Sequence, residues 1–151
     1  MHSRSLTELA RAFIRACRGT RHIHAPATAK VDADEADVPV LDVGVFKELH
    51  ATLGRNTDGV RNVYVKFMDS AAQRIDELRH QPIAAAAKTL HALKGSAGMV
   101  GASRLAVLAE RLQDTTTNRE ALAVAIHDIE GELAAFHGAL RAQLDSVSRA
   151  G

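Results

Sequence analysis

Residues 82–101, PIAAAAKTLHALKGSAGMVG, read as one helix with two unlike faces. Pro82 suits a first turn, where its missing N–H costs nothing, and Gly101 suits the position just past the end. Between them Ile83, Ala86, Leu90, Leu93, Ala97 and Val100 recur at the three- and four-residue spacing of a single buried face. His91 projects well away from that face. It shares its own side with Ala84, Ala87, Gly95 and Gly98, all small, and Lys88 and Lys94 flank it. A glycine inside a helix costs roughly 1 kcal/mol relative to alanine, so two of them beside one surface histidine need a reason beyond local folding.

The helical period continues on both sides. Asp42 can cap a helix that turns Val45, Phe46, Leu49 and Leu53 inward, and Gly54 can end it. Residues 55–58 read as a turn. A helix over about 58–80 carries Val60, Tyr64, Phe67, Met68, Ala71, Ile75 and Leu78 on one face. After a stop at Gly101 and a restart at Ser103, Leu105, Leu108, Ala109 and Leu112 point inward from the next helix. Thr117 and Glu120 have capping-box spacing for the last one. Its stripe of Leu122, Ile126, Ile129, Leu133, Phe136, Leu140 and Val147 keeps near-heptad spacing. Apolar residues make up 46% of the chain, enough for a core, while aromatics are 3% and Trp is absent, which argues against sheet. Long helices joined by short connections pack antiparallel. The expected fold is therefore all-α: an antiparallel four-helix bundle over residues 57–148, with 42–53 as an accessory N-terminal helix and 41–151 as the domain.

Residues 1–18 place Leu6, Leu9, Ala10, Phe13, Ile14 and Cys17 on one helical face, with Arg4, Arg11, Arg15 and Arg18 mostly off it. Such an amphipathic helix docks on a neighbouring domain or a second copy more often than it acts as a transit peptide or membrane-surface anchor. Residues 19–40 have no apolar period, contain Pro26 and Pro39, and carry Asp32, Asp34, Glu35 and Asp37, as a solvated linker does. His22 and His24 form an H-x-H pair without a third or fourth ligand at useful spacing, so no metal is expected. His127 and His137 fall on different faces of the last helix. One cysteine, Cys17, cannot form an internal disulfide, and a cytoplasmic location is the default. A net charge of +1 gives no reason to expect a nucleic-acid partner. No apolar stretch approaches the roughly 20 residues that span a bilayer. No Gly-rich loop or Walker sequence is present, so the chain is expected to have no ATP site and no kinase activity of its own.

An imidazole titrates near pH 6.5 when unperturbed, so it is largely neutral and nucleophilic near pH 7. Such a ring can attack phosphorus and hold a phosphoryl group covalently. Lys94, three residues on, and Lys88, three residues before, are neighbours of His91 on the helix surface and can balance the charge gained. The small residues beside it let a partner's backbone come close. On the helical wheel alone, an ordinary solvated histidine between two ordinary lysines is the simpler reading.

The stretch His91-Ala92-Leu93-Lys94-Gly95-Ser96-Ala97-Gly98-Met99-Val100-Gly101-Ala102 reverses that preference. It closely resembles the signature of histidine-containing phosphotransfer domains, H-x-L-K-G-S/A-S/A followed by an apolar residue and Gly-Ala. The resemblance covers about the last hundred residues and nothing before about residue 41. It implies that His91 is the phosphoryl acceptor, that Lys94 stabilises the phosphorylated form, and that Gly95 leaves room for a receiver domain. Gln113 stands where many members have a polar residue that orients the imidazole. Ala84, Ala87, Lys88, Gly95 and Gly98 are then the docking face. The implied partners are receiver domains of response regulators or of a hybrid histidine kinase. The Mg²⁺ belongs to the receiver, and no cofactor of the chain's own is implied. In hybrid sensor kinases such a domain often follows a receiver that ends in an amphipathic helix, and residues 4–18 with their polar linker look like that ending. On that expectation the chain is a C-terminal fragment of a kinase tethered to a membrane sensor.

Two other readings compete. The dimerisation and phosphoacceptor domain of a histidine kinase typically follows its histidine with an acidic residue and an Arg-x-Pro turn, whereas Ala92 and Leu93 follow His91 here. A non-catalytic bundle that dimerises or binds a partner through its long last helix would give His91 no special role.

Overall fold

The computed structural model describes residues 37–150. Five α-helices follow in order among them: α1 Val43–Thr52, α2 Thr57–His80, α3 Ala86–Met99, α4 Ser103–Thr115 and α5 Arg119–Ala150. No strand occurs among the described residues, so the fold is the all-α bundle expected. The amphipathic segment 1–18 and most of the linker 19–40 lie outside the described residues. Its last four residues do not stand clear of the bundle: Val38 and Val40 are half-buried, and Arg104 Nε donates to the Val38 carbonyl at 3.2 Å.

Each boundary has a local cause. Asp42 Oδ1 accepts from Val45 N at 3.2 Å, and Asn56 Oδ1 from Gly59 N at 3.1 Å, satisfying N-terminal amides of α1 and α2. Between these helices Gly54 and Arg55 both have positive φ, 67° and 62°. Pro82 introduces a 3₁₀ turn, Ile83–Ala85, that leads into α3. The start of α5 differs from the capping box at Thr117 and Glu120. There the cap is Asn118, whose Oδ1 accepts from Ala121 N at 2.8 Å. The helix begins at Arg119, so Thr117 stands one residue too early to reach the amides that need a partner.

Helices α2 to α5 pack in sequence, each against the next, and α5 closes the circle on α2. Consequently α3 lies diagonally across the bundle from α5. The periodic residues of all four form the core, with Leu78, Leu90, Leu93, Leu105 and Ile129 at most 1% exposed. Burying such a side chain contributes about 1.5–3 kcal/mol. Three positions on α5 depart from the sequence stripe: Ala125 and Leu144 are buried, while Val147 is only half-buried. Aromatic residues form one chain of contacts, with ring centroids of Phe46 and Tyr64 6.0 Å apart, Tyr64 and Phe136 5.9 Å, and Phe67 and Phe136 5.5 Å. Phe46 thereby ties the accessory helix α1 to α2, and Tyr64 and Phe67 tie α2 to α5.

Candidate functional site

The helix bearing His91 is held at both ends. At its N-terminal end Thr89, three residues after Ala86 and four before Leu93, is buried at the edge of the core face. Its hydroxyl and the Gln81 side-chain amide exchange two hydrogen bonds: Gln81 Nε2 donates at 2.8 Å and Oε1 accepts at 3.1 Å. The Gln81 carbonyl in turn accepts from Arg119 Nη2 at 3.0 Å, so the α2–α3 corner is pinned to the start of α5.

At the C-terminal end Ala102 N donates to the Ala97 carbonyl at 2.9 Å and Gly101 N to the Gly98 carbonyl at 3.4 Å. This is a Schellman turn with Gly101 in the left-handed region, φ 79°. Three further contacts clamp it. Tyr64 Oη donates to the Val100 carbonyl at 3.0 Å, Asp42 N donates to the Gly101 carbonyl at 2.7 Å, and Gly101 lies against Val45 of α1. Burial pushes the Tyr64 phenol well above its usual range, and the Asp42 carboxylate adds to that. The phenol therefore stays protonated as a donor.

Between these anchors the inner face of α3 is dry. Ala86, Leu90, Leu93 and Ala97 have no exposed surface. The outer face is the opposite. His91 is exposed, as are Ala84, Ala87, Lys88, Gly95 and Gly98. A Cβ built on Gly95 or Gly98 would meet nothing within 4 Å, so no packing inside the domain requires either glycine. Met99, 37% exposed, stands at the end of this strip.

Lys94 is not a free charge beside His91. Its Nζ donates to Glu110 Oε1 on α4 at 2.7 Å. That contact gives the register of the antiparallel pair: three residues back along α3 and three on along α4, His91 comes level with Gln113. Gln113 is half-buried, and among the described residues no hydrogen bond joins it to His91. The sequence reading missed Glu110 because its relation to Lys94 depends on this interhelical register. Residues of one helix follow from spacing, but pairs across two helices need the turn between them.

His127 and His137 are exposed on α5, and no group of three or more metal-ligating residues occurs among the described residues. No described helix is long and apolar enough to cross a membrane.

Neither the curated proteins nor the solved structures yield a match to the chain. The family model of the Hpt domain does, over residues 62–150, more than half of the 151. The match enters in the first two turns of α2 and runs through α5, across the helices that carry His91 and hold its helix in place. The chain therefore belongs to the family of histidine-containing phosphotransfer (Hpt) domains.

Proposed function

We propose that the chain is a phosphorelay intermediate, taking a phosphoryl group onto His91 from the aspartyl phosphate of one receiver domain and passing it to the aspartate of another. Membership of the Hpt family supports histidine phosphotransfer in general. The observation that carries the assignment to His91 is the exposed imidazole on a strip of α3 whose glycines no internal contact requires. A receiver loop can approach such a strip closely.

In the step itself, the lone pair of the unprotonated ring nitrogen of His91 forms a bond to phosphorus. The bond from phosphorus to the receiver's aspartate oxygen breaks, and the carboxylate leaves with the electron pair. The return step reverses this on a second aspartate. Positioning and electrostatic stabilisation are what proteins chiefly contribute to phosphoryl transfer. On the chain's side His91 is the nucleophile, Lys94 balances the charge on the phosphorylated ring, and Gln113, level with His91 on α4, orients it. Ala84, Ala87, Lys88, Gly95 and Gly98 form the docking face. Mg²⁺ is supplied by the receiver, and the chain itself brings neither cofactor nor ATP. The site of action is cytoplasmic, tethered to a membrane sensor where the chain forms part of a hybrid kinase.

Incubation with a phosphorylated receiver domain tests this reading. Wild-type protein should gain label that is acid-labile and base-stable, as a phosphorus–nitrogen bond is, and His91→Gln should gain none while melting as the wild type does. Transfer to His91→Gln at the wild-type rate would overturn the assignment and favour a non-catalytic interaction bundle.

A further inference from the structure

The ion pair between Lys94 and Glu110 joins the residue three positions beyond His91 to the neighbouring helix. Both partners face solvent, with side chains 36% and 62% exposed. An exposed pair of this kind is weak, because water screens it and two long side chains lose freedom to hold it. It is strong enough to bias where the ammonium rests and too weak to lock it there. Packing gives no reason for Glu110: it is exposed, and the buried residues of α4 are Leu105, Leu108, Ala109 and Leu112. An ammonium has three donors, but a carboxylate and a phosphoryl group gathered on the same ammonium repel each other.

We propose that Glu110 is a positioning residue that holds Lys94 on α4 while His91 is unphosphorylated, and that phosphorylation draws Lys94 off Glu110 onto the phosphoryl oxygens. This rests on the reading of His91 as the phosphoacceptor. No bond is made or broken in the exchange beyond one charge-assisted hydrogen bond traded for another. Its consequence is a site kept in balance. Each phosphorylation must displace Glu110, so the phosphorylated form is less favoured than Lys94 alone would make it, as suits a domain that gives its phosphoryl group away. The pair also biases where the Lys94 ammonium rests before a receiver arrives.

Phosphoramidate, a small donor that needs no receiver, provides the test. After donor is removed, the lifetime of phosphohistidine at position 91 is followed by ³¹P NMR in the wild type, Glu110→Gln, Lys94→Ala and the double variant. Removing the competing carboxylate should lengthen the lifetime about two- to fivefold, the scale of an exposed ion pair. The same substitution in the Lys94→Ala background should change nothing. In wild-type protein the Glu110 carboxylate ¹³C signal should move on phosphorylation, and in Lys94→Ala it should not. An unchanged or shorter lifetime in Glu110→Gln overturns the proposal, as does an equal lengthening without Lys94, which would mean a general charge effect. A wild type that takes no label at His91 overturns the phosphoacceptor reading and this one with it. Normal labelling with an indifferent Glu110 overturns this one alone.

Discussion

Gly95 and Gly101 stand six residues apart around the same helix, one in open space and the other in a vice. A Cβ on Gly101 would lie 3.1 Å from the Asp42 carbonyl oxygen and 3.1 Å from Val45 Cβ, on a backbone already at φ 79°. A Cβ on Gly95 would touch nothing. The first glycine is explained by the fold: it lets α3 stop, turn and receive α1. The second has no such explanation, and its cost in helix propensity calls for something outside the domain. The structural residue is recognised by what a substitution would collide with; open space alone, which Gly138 shares, assigns Gly95 no role, and its place on the face of His91 is what makes it a docking candidate.

The largest effect should fall at the structural end. Gly101→Ala adds a left-handed non-glycine residue, about 1–2 kcal/mol, to overpacking of typically 1–3 kcal/mol. Denaturant unfolding should therefore show a loss of about 2–5 kcal/mol, with His91 in the folded fraction still labelled by phosphoramidate. A stability equal to the wild type would erase the contrast between the two glycines.

Next comes Lys94 on the outer face. A charge-assisted contact is worth about 1.5–3 kcal/mol, so Lys94→Ala should slow transfer from a phosphorylated receiver by roughly ten- to a hundredfold, and Gln113→Ala by less. Both should melt close to the wild type, since neither side chain belongs to the core. Wild-type rates in both would remove their roles and leave His91 alone.

Tyr64→Phe sharpens the comparison from inside. It leaves the Val100 carbonyl without its donor and should cost about 1 kcal/mol. The phenol's folded-state pKa is raised, by burial first and then by Asp42. Its contribution is thus complete below the unfolded value of about 10 and is lost as pH rises beyond it. Stability measured between neutral and strongly alkaline pH should fall less steeply in Tyr64→Phe than in the wild type.

Gly95→Gln should change stability in the opposite direction from Gly101→Ala, with a small gain of a few tenths to about 1 kcal/mol from helix propensity. Transfer from a receiver should nonetheless be poor, while phosphoramidate still labels His91. Gly138→Gln is the control: that glycine is equally open but lies on α5, diagonally across the bundle from α3. It should gain similar stability and transfer normally. If Gly95→Gln transferred as well as Gly138→Gln, the bare strip would not be the docking face.

Much of this was legible without coordinates, for a definable reason. The periodic residues of α2, α3 and α4 are the buried ones almost without exception, because a helix that must bury one stripe writes it at fixed spacing. The outer position of His91 follows from the same wheel, since being off the core face is a property of one helix alone. Thr89 escaped because a polar side chain is not counted in an apolar stripe, and only the corner bringing Gln81 beside it makes its burial affordable. On α5 the stripe that includes Leu140 continues to Leu144, four residues on, and burial fades only at Val147.

By itself the chain's sequence determined the helices, their inward faces, the exposed histidine and the motif that relates it to phosphotransfer, all of which depend on residues close together along the chain. Tertiary structure alone decided that Gly101 is wedged against α1, that Tyr64 caps the end of α3 from another helix, and that Lys94 rests on Glu110. Each of these is a meeting of residues from different helices, and such meetings are governed by interhelical register, which no single helix's spacing encodes.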